Sequence, residues 1–146
     1  MFKDELWQDV KGLSGVPLFV VVIIVSFLSG MRQLAAELSC GLILAYFITT
    51  VIRLVHFKRR PDKQAYRNFI EKIDASSFPS LHAMRAAVMA TILSITFSNP
   101  LLTALFSLCA IGVGVSRVLT KRHYVSDVIV GLLVGVLVGW LATFIS

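Results

Sequence analysis

The chain has 146 residues, 57% of them hydrophobic and 15% charged, with a formal net charge of +6. A soluble domain carries about 25% charged residues. This composition, with a mean hydropathy of +0.84, argues against disorder, a nucleic-acid-binding tail and a soluble enzyme. It predicts one all-helical, polytopic membrane domain over residues 1–146, with room for about five spans.

The first dozen residues, MFKDELWQDVKG, read as a short helix lying on the bilayer surface with Phe2, Leu6 and Trp7 toward lipid. From Leu13 to Met31 nineteen residues carry no charge, enough to cross the hydrocarbon as a helix. The flank before them has no net positive charge and no small-x-small site follows, which disfavours a cleavable leader. A second span covers about 33–57, with Glu37 near its start and Arg53 near its end. Thirty-one uncharged residues separate Arg85 from Arg117 and are broken at Ser98-Asn99-Pro100. Proline cannot continue a helix and disfavours helical geometry in the residue before it. A third span is therefore expected over about 80–98 and a fourth over about 100–118, joined by a tight turn. The fifth, about 124–146, carries Gly131, Gly135 and Gly139 at every fourth position. Such a strip admits another helix backbone closely, within the chain or between two copies, so a homo-oligomer stays open. Cys40 and Cys109 lie in apolar stretches and make no disulfide framework.

Five spans put the N-terminus, the 58–79 connection and the 117–123 turn on one side. Thirteen of the fourteen basic residues lie on or near that side, and Arg32 lies on the other. The connection FKRRPDKQAYRNFIEKIDASSF holds Lys58, Arg59, Arg60, Lys63, Arg67 and Lys72 and predicts a short amphipathic helix around 63–73. A cationic cover of this kind suits an anionic partner at headgroup depth.

Ionisable residues at a membrane edge are costly and are functional candidates by default. Here they gather at helix ends facing one side. Arg53 and Arg60 stand seven residues apart, two helical turns. Pro79-Ser80-Leu81-His82 reads as a helix start, whose unpaired backbone N–H groups around Ser80 and Leu81 form an anion site. His82 stands just inside it, placed to protonate a leaving oxygen. His123 and Asp127 are four residues apart, so on a helix the carboxylate would accept a hydrogen bond from one imidazole nitrogen and leave the other as nucleophile or base. Arg53, Arg60 and Arg117 supply planar, permanently charged donors suited to phosphate. Together these groups describe a phosphoryl-transfer site.

The pattern R-x6-R-P (Arg53 to Pro61), P-S-L-H (Pro79 to His82) and S-R-x5-H-x3-D (Ser116 to Asp127) resembles the type 2 phosphatidic acid phosphatase superfamily over residues 53–127. The usual superfamily form is K-x6-R-P, P-S-G-H and S-R-x5-H-x3-D. The resemblance implies metal-independent hydrolysis of a lipid phosphate ester, with no cofactor. His123 would attack phosphorus with Asp127 in support, and His82 would be the general acid. Arg53, Arg60, Ser80, Leu81 and Arg117 would hold the phosphoryl oxygens. Arg53 stands where lysine is usual, which replaces a point donor by a fork. Leu81 stands where glycine is usual, keeping the N–H but adding bulk. Leucine there also occurs in relatives resembling lipid phosphotransferases, so transfer to an alcohol stays open. The superfamily core usually has six spans against the five expected here.

Arg85 and Lys58 are secondary candidates. Arg85 follows His82 by three residues, on roughly the same helical face one turn deeper. It would meet a second anionic group, or else pair with Glu37 or an acid of the 58–79 connection. Expected partners are a lipid phosphate and the surrounding membrane lipids, not nucleic acid. The three histidines and scattered acids have no familiar metal-ligand spacing, and no nucleotide-binding loop is present. The basic count orients the site face to the cytoplasm of a multi-pass cell-membrane protein, whereas the resemblance implies the extracytoplasmic face. An anion transporter would use the same arginines as a ring, but no internal repeat supports it and it leaves the histidines unexplained. A structural membrane subunit leaves them unexplained too.

Overall fold

The structure, a computed structural model, describes residues 15–62 and 67–145. Among the described residues six helices follow in order: α1 (Val16–Leu28), α2 (Arg32–Val55), α3 (Phe69–Ala75), α4 (Leu81–Phe97), α5 (Pro100–Leu119) and α6 (Val125–Ile145). The helix expected in the first dozen residues lies outside the described ones.

Local chemistry sets most of the boundaries. Gly30 turns the chain between α1 and α2 at φ +80°, a left-handed position that glycine adopts without strain. Asn99 Oδ1 accepts from the N–H groups of Leu101 and Leu102, and Pro100 opens α5 where its missing N–H is harmless. The connection helix begins at Phe69 and ends at Ala75, a few residues later than the 63–73 expected. The cause is a cap: Asn68 Oδ1 accepts from Glu71 N at 2.8 Å, while the Glu71 carboxylate reaches back to Arg67 N at 2.6 Å.

All five expected spans are apolar helices. Three of them, α2, α5 and α6, are long and apolar enough to cross a membrane. The other two are shorter, with thirteen residues in α1 and seventeen in α4. The polarity of the bundle runs inside out. Val21, Ile43, Phe47, Leu101, Leu108 and Leu133 face outward, while Thr49, Arg53, Ser80, Arg85, Ser116, Arg117 and Asp127 are buried. Outward apolar surface of that extent is unstable in water and at home in lipid.

α4 is the central helix, packed against α2, α5 and α6. Its closest approach is to α6 and depends on the glycine strip. A Cβ at Gly131 would lie 2.6 Å from Ser80 O and one at Gly139 2.9 Å from Val88 O, while one at Gly135 would strike Met84 O. The strip therefore packs inside the chain. Phe19, Leu38, Met84, Val88, Ile92 and Val138 fill the core of the bundle and seat α4, which is capped by Ser80 and opens with Leu81 and His82.

Candidate active site

The three motifs meet at one end of the bundle, and backbone contacts hold them together. Beyond α2, residues 58–60 run beside residues 76–77. Ser77 N donates to Lys58 O at 2.8 Å, Ser77 Oγ to Arg59 O at 3.4 Å, and Arg59 and Ser76 form an isolated antiparallel bridge. The second motif is clamped in turn to the third, with Ser80 N donating to Asp127 O at 3.0 Å. Arg53, at the end of α2, donates from Nη2 to Pro79 O at 3.2 Å and from Nη1 to Ile73 O at 3.4 Å. That one side chain ties α2 to the loop entering α4.

His123 lies in the turn before α6, 3% exposed. Its Nδ1 is 2.6 Å from Ser77 O. A carbonyl can only accept, so Nδ1 carries the proton and Nε2 keeps its lone pair. Burial pushes the imidazole down to about 3, and the charges of Arg60, Arg117 and Arg53 act in the same direction against the hydrogen bond to Ser77. His123 is thus neutral over the physiological range, with a lone pair on Nε2 and a positive surround.

Asp127 does not hold His123. The expected four-residue pairing requires both residues on the helix, and α6 begins only at Val125. Asp127 is the third residue of that helix and its Oδ2 accepts from Tyr124 N at 3.0 Å, the acidic half of a capping box. Its Oδ1 forms an ion pair with Lys58 Nζ, which also lies 4.6 Å from the Tyr124 ring centre. The role foreseen for Asp127 falls to the Ser77 carbonyl, a backbone group that side-chain spacing does not reveal. Lys58 becomes the counter-charge of the buried carboxylate.

The phosphate donors divide. Arg117 is 6% exposed, its guanidinium donates no hydrogen bond to any described residue, and its Nε is buried. Arg60 donates from Nη2 to Asp74 O; burial lowers its pKa, while the Asp74 and Asp62 carboxylates oppose that shift. Ser80 is fully buried, its N–H spent on Asp127 O and its Oγ accepting from Ala83 N. It caps α4, and its hydroxyl hydrogen donates to no described residue. Leu81 N–H, at the first position of α4, has no partner among the described residues, so the anion site foreseen at this helix start rests on Leu81. His82 is half-buried at the second position. Arg85 is buried one turn deeper and donates from Nη1 to Tyr46 Oη at 2.7 Å. Glu37, the partner considered for it, instead accepts from Gln33 Nε2 at 3.0 Å near the opposite end of α2. No group of three His, Cys, Asp or Glu side chains able to hold a metal occurs among the described residues.

The PAP2 superfamily model matches residues 34–146, which include all three motifs.

The chain belongs to the PAP2 superfamily.

Among curated members, the decaprenylphosphoryl-5-phosphoribose phosphatase of Mycobacterium tuberculosis is 32% identical over 99 residues, covering 68% of this chain and 54% of the relative. The lipid A 1-phosphatase of Porphyromonas gingivalis is 36% identical over 74 residues, covering 49% of this chain and 17% of the relative. The chain thus spans about half the length of the first of these and less of the second. Two crystal structures share the fold. Aquifex aeolicus LpxE superposes with a TM-score of 0.81 at 19% identity, covering 97% of this chain and 85% of that one. The first transmembrane PAP2 type phosphatidylglycerolphosphate phosphatase from Bacillus subtilis gives 0.80 at 20% identity, covering 98% of this chain and 76% of that one.

Proposed function

We propose that this PAP2 member is an integral-membrane phosphatase of a lipid phosphate ester and works through a phosphohistidine. The observation that carries the reading is the Nδ1–H donation of His123 to Ser77 O, which leaves the Nε2 lone pair as the nucleophile in the field of Arg60, Arg117 and Arg53. In the first half-reaction Nε2 bonds to phosphorus, the bond from phosphorus to the leaving oxygen breaks, and His82 gives that oxygen a proton. In the second, water attacks phosphorus, returns a proton to His82, and the N–P bond breaks to release phosphate. The guanidinium groups and Leu81 N–H stabilise charge on the equatorial oxygens. Asp127 supports the site by fixing the start of α6 and the position of Lys58.

The relatives named for lipid A and for a decaprenyl-linked sugar phosphate support a lipid substrate, as does a site at the end of an apolar bundle. Leu81 favours a second outcome, transfer of the phosphoryl group to an alcohol. We place the site on the extracytoplasmic face. The resemblance carries that placement against the basic count: Arg53, Arg85 and Arg117 are buried and Arg60 is half-buried, and with these four set aside nine basic residues still lie on the site side against Arg32.

Phosphate release from a panel of phosphorylated lipids in detergent, with and without glycerol as acceptor, tests the function. His123→Ala should lower the rate by about 10³-fold or more, and equal rates for variant and wild type would refute the reading.

A further inference from the structure

The end of the bundle opposite the active site carries charges of its own. Among the described residues Glu37 is the one acid at that end and Arg32 the one base. Glu37 is 5% exposed although it follows the start of α2 by only five residues. Its Oε1 accepts from Gln33 Nε2 at 3.0 Å, and its Oε2 accepts from no described residue. No ion pair joins it to Arg32, which is exposed. A buried carboxylate without a cation is costly, so the arrangement calls for a positive group from outside the chain.

Space for such a group lies beside it. A cavity of about 840 Å³ opens between the α1–α2 turn and the last turns of α4 and α6, with Arg32, Gln33, Glu37, Thr96, Trp140 and Phe144 in its lining. That size belongs to ligand sites. Thr96 donates its hydroxyl to Ile92 O, and Thr143, also in the lining, donates to Trp140 O. Both hydroxyls are spent on their own helices, which leaves the carboxylate and the guanidinium as the groups that choose a ligand. Trp140 is half exposed and packs edge-on against the Phe144 ring at 4.8 Å. Tryptophan at the end of a span marks headgroup depth, so the cavity meets the leaflet opposite the active site.

The two charges say which headgroup. A carboxylate only accepts, so it selects a cation with N–H groups and repels a purely anionic lipid. Arg32 opens α2, whose start has no side-chain cap, and the guanidinium and the positive helix end both attract phosphate. The Glu37 side chain reaches back to Gln33, one turn nearer that start, which brings the two charges to similar depth. A molecule with an ammonium and a phosphodiester answers both at once. A metal ion does not, because one carboxylate is too few ligands.

We infer that this cavity binds the headgroup of an ethanolamine phospholipid, its primary ammonium donating to Glu37 and its phosphate meeting Arg32. The site is independent of the phosphatase reading. Its walls are the far ends of α2, α4 and α6, the helices that set Arg53, His82 and Asp127 at the other end, so the bound lipid braces the bundle that holds the active site.

The test is thermal unfolding of the purified full chain in detergent, with mixed micelles of phosphatidylethanolamine, phosphatidylcholine or phosphatidylglycerol. The choline lipid keeps the phosphate but has no N–H to donate, and the glycerol lipid has no ammonium. At saturating lipid, phosphatidylethanolamine should raise the wild-type melting temperature by about 5–10 °C, and the other two should raise it much less. Glu37→Gln keeps the shape and the acceptor for Gln33 and should cancel most of the shift. Arg32→Gln, an exposed change, should cancel part of it. Equal shifts in wild type and Glu37→Gln, or equal shifts from the ethanolamine and choline lipids, overturn the inference. Free phosphoethanolamine giving the full shift without lipid overturns it too, since the occupant is then a solute. Native mass spectrometry of wild type and Arg32→Gln decides the matter even where Glu37→Gln does not fold. Ethanolamine lipid held by wild type and shed by the variant supports the site, and equal retention contradicts it.

Discussion

His123 Nδ1 and Ser77 O lie 2.6 Å apart, and this contact between the turn before α6 and the loop before α4 sets the chemistry of the site. It selects one tautomer, aims Nε2 and couples the third motif to the second.

The first consequence is a pH dependence of stability. Burial holds the His123 imidazole down at about 3 from an ordinary 6.5. Above pH 6.5 the residue is neutral in both folded and unfolded chains and contributes no slope. Below it the unfolded chain binds a proton that the folded one refuses, so stability falls by about 1.4 kcal/mol per pH unit until the folded pKa is reached. Between pH 6.5 and pH 4.5, wild type should lose about 2–3 kcal/mol more than His123→Asn, read from thermal unfolding in detergent. Parallel curves for the two proteins would contradict this.

The Lys58–Asp127 pair predicts strong non-additivity. Asp127 is fully buried, while the Lys58 side chain is one-third exposed. Lys58→Met leaves a buried carboxylate uncompensated and should cost about 3 kcal/mol. Asp127→Asn also loses its partner but leaves the stray charge near solvent, and should cost less. The double variant should be more stable than Lys58→Met alone, a sign that thermal unfolding of the four proteins reads directly.

Glycine at 135 is required by its neighbours. A Cβ there would meet Met84 O and come within 2.7 Å of Ala87 Cβ. Gly135→Val should push α4 away from α6, cost about 3 kcal/mol or more and displace His82, lowering activity in whatever protein still folds. At Gly112 a Cβ meets nothing within 4 Å, so Gly112→Ala should leave folded yield and melting temperature unchanged. Equal behaviour of the two variants would remove the packing argument.

Much of this architecture was legible in the residues. Uncharged runs, one of them broken at Ser98-Asn99-Pro100, located the helices to within a few positions, because apolar length and helix-breaking chemistry are local properties. The three motifs pointed to one bundle end because two crossings, α4 and α5, separate the 58–79 connection from the 117–123 turn and return the chain to the same side. What escaped reading was whatever depended on tertiary hydrogen bonding. Ser77 acts on His123 through its carbonyl, which every residue has. Asp127 was read as a helical partner of His123, yet α6 starts two residues after His123, so capping and Lys58 claim the carboxylate. The Ser80 backbone N–H was read as unpaired, but docking of α6 spends it on Asp127 O. Tyr46, the residue that holds Arg85, gave no signal, since a single tyrosine in an apolar span is ordinary. The Asn68-x-x-Glu71 cap was visible in the sequence and would have placed the start of α3 correctly.

The central claim is that phosphorus passes through His123. The most direct measurement is rapid acid-free quenching of the enzyme during turnover of a lipid carrying ³²P in its terminal phosphate, followed by peptide mapping. The account predicts acid-labile, base-stable label on the peptide containing His123, present in wild type and absent in His123→Ala. Full turnover with no label on that peptide, or label retained in His123→Ala, would contradict it.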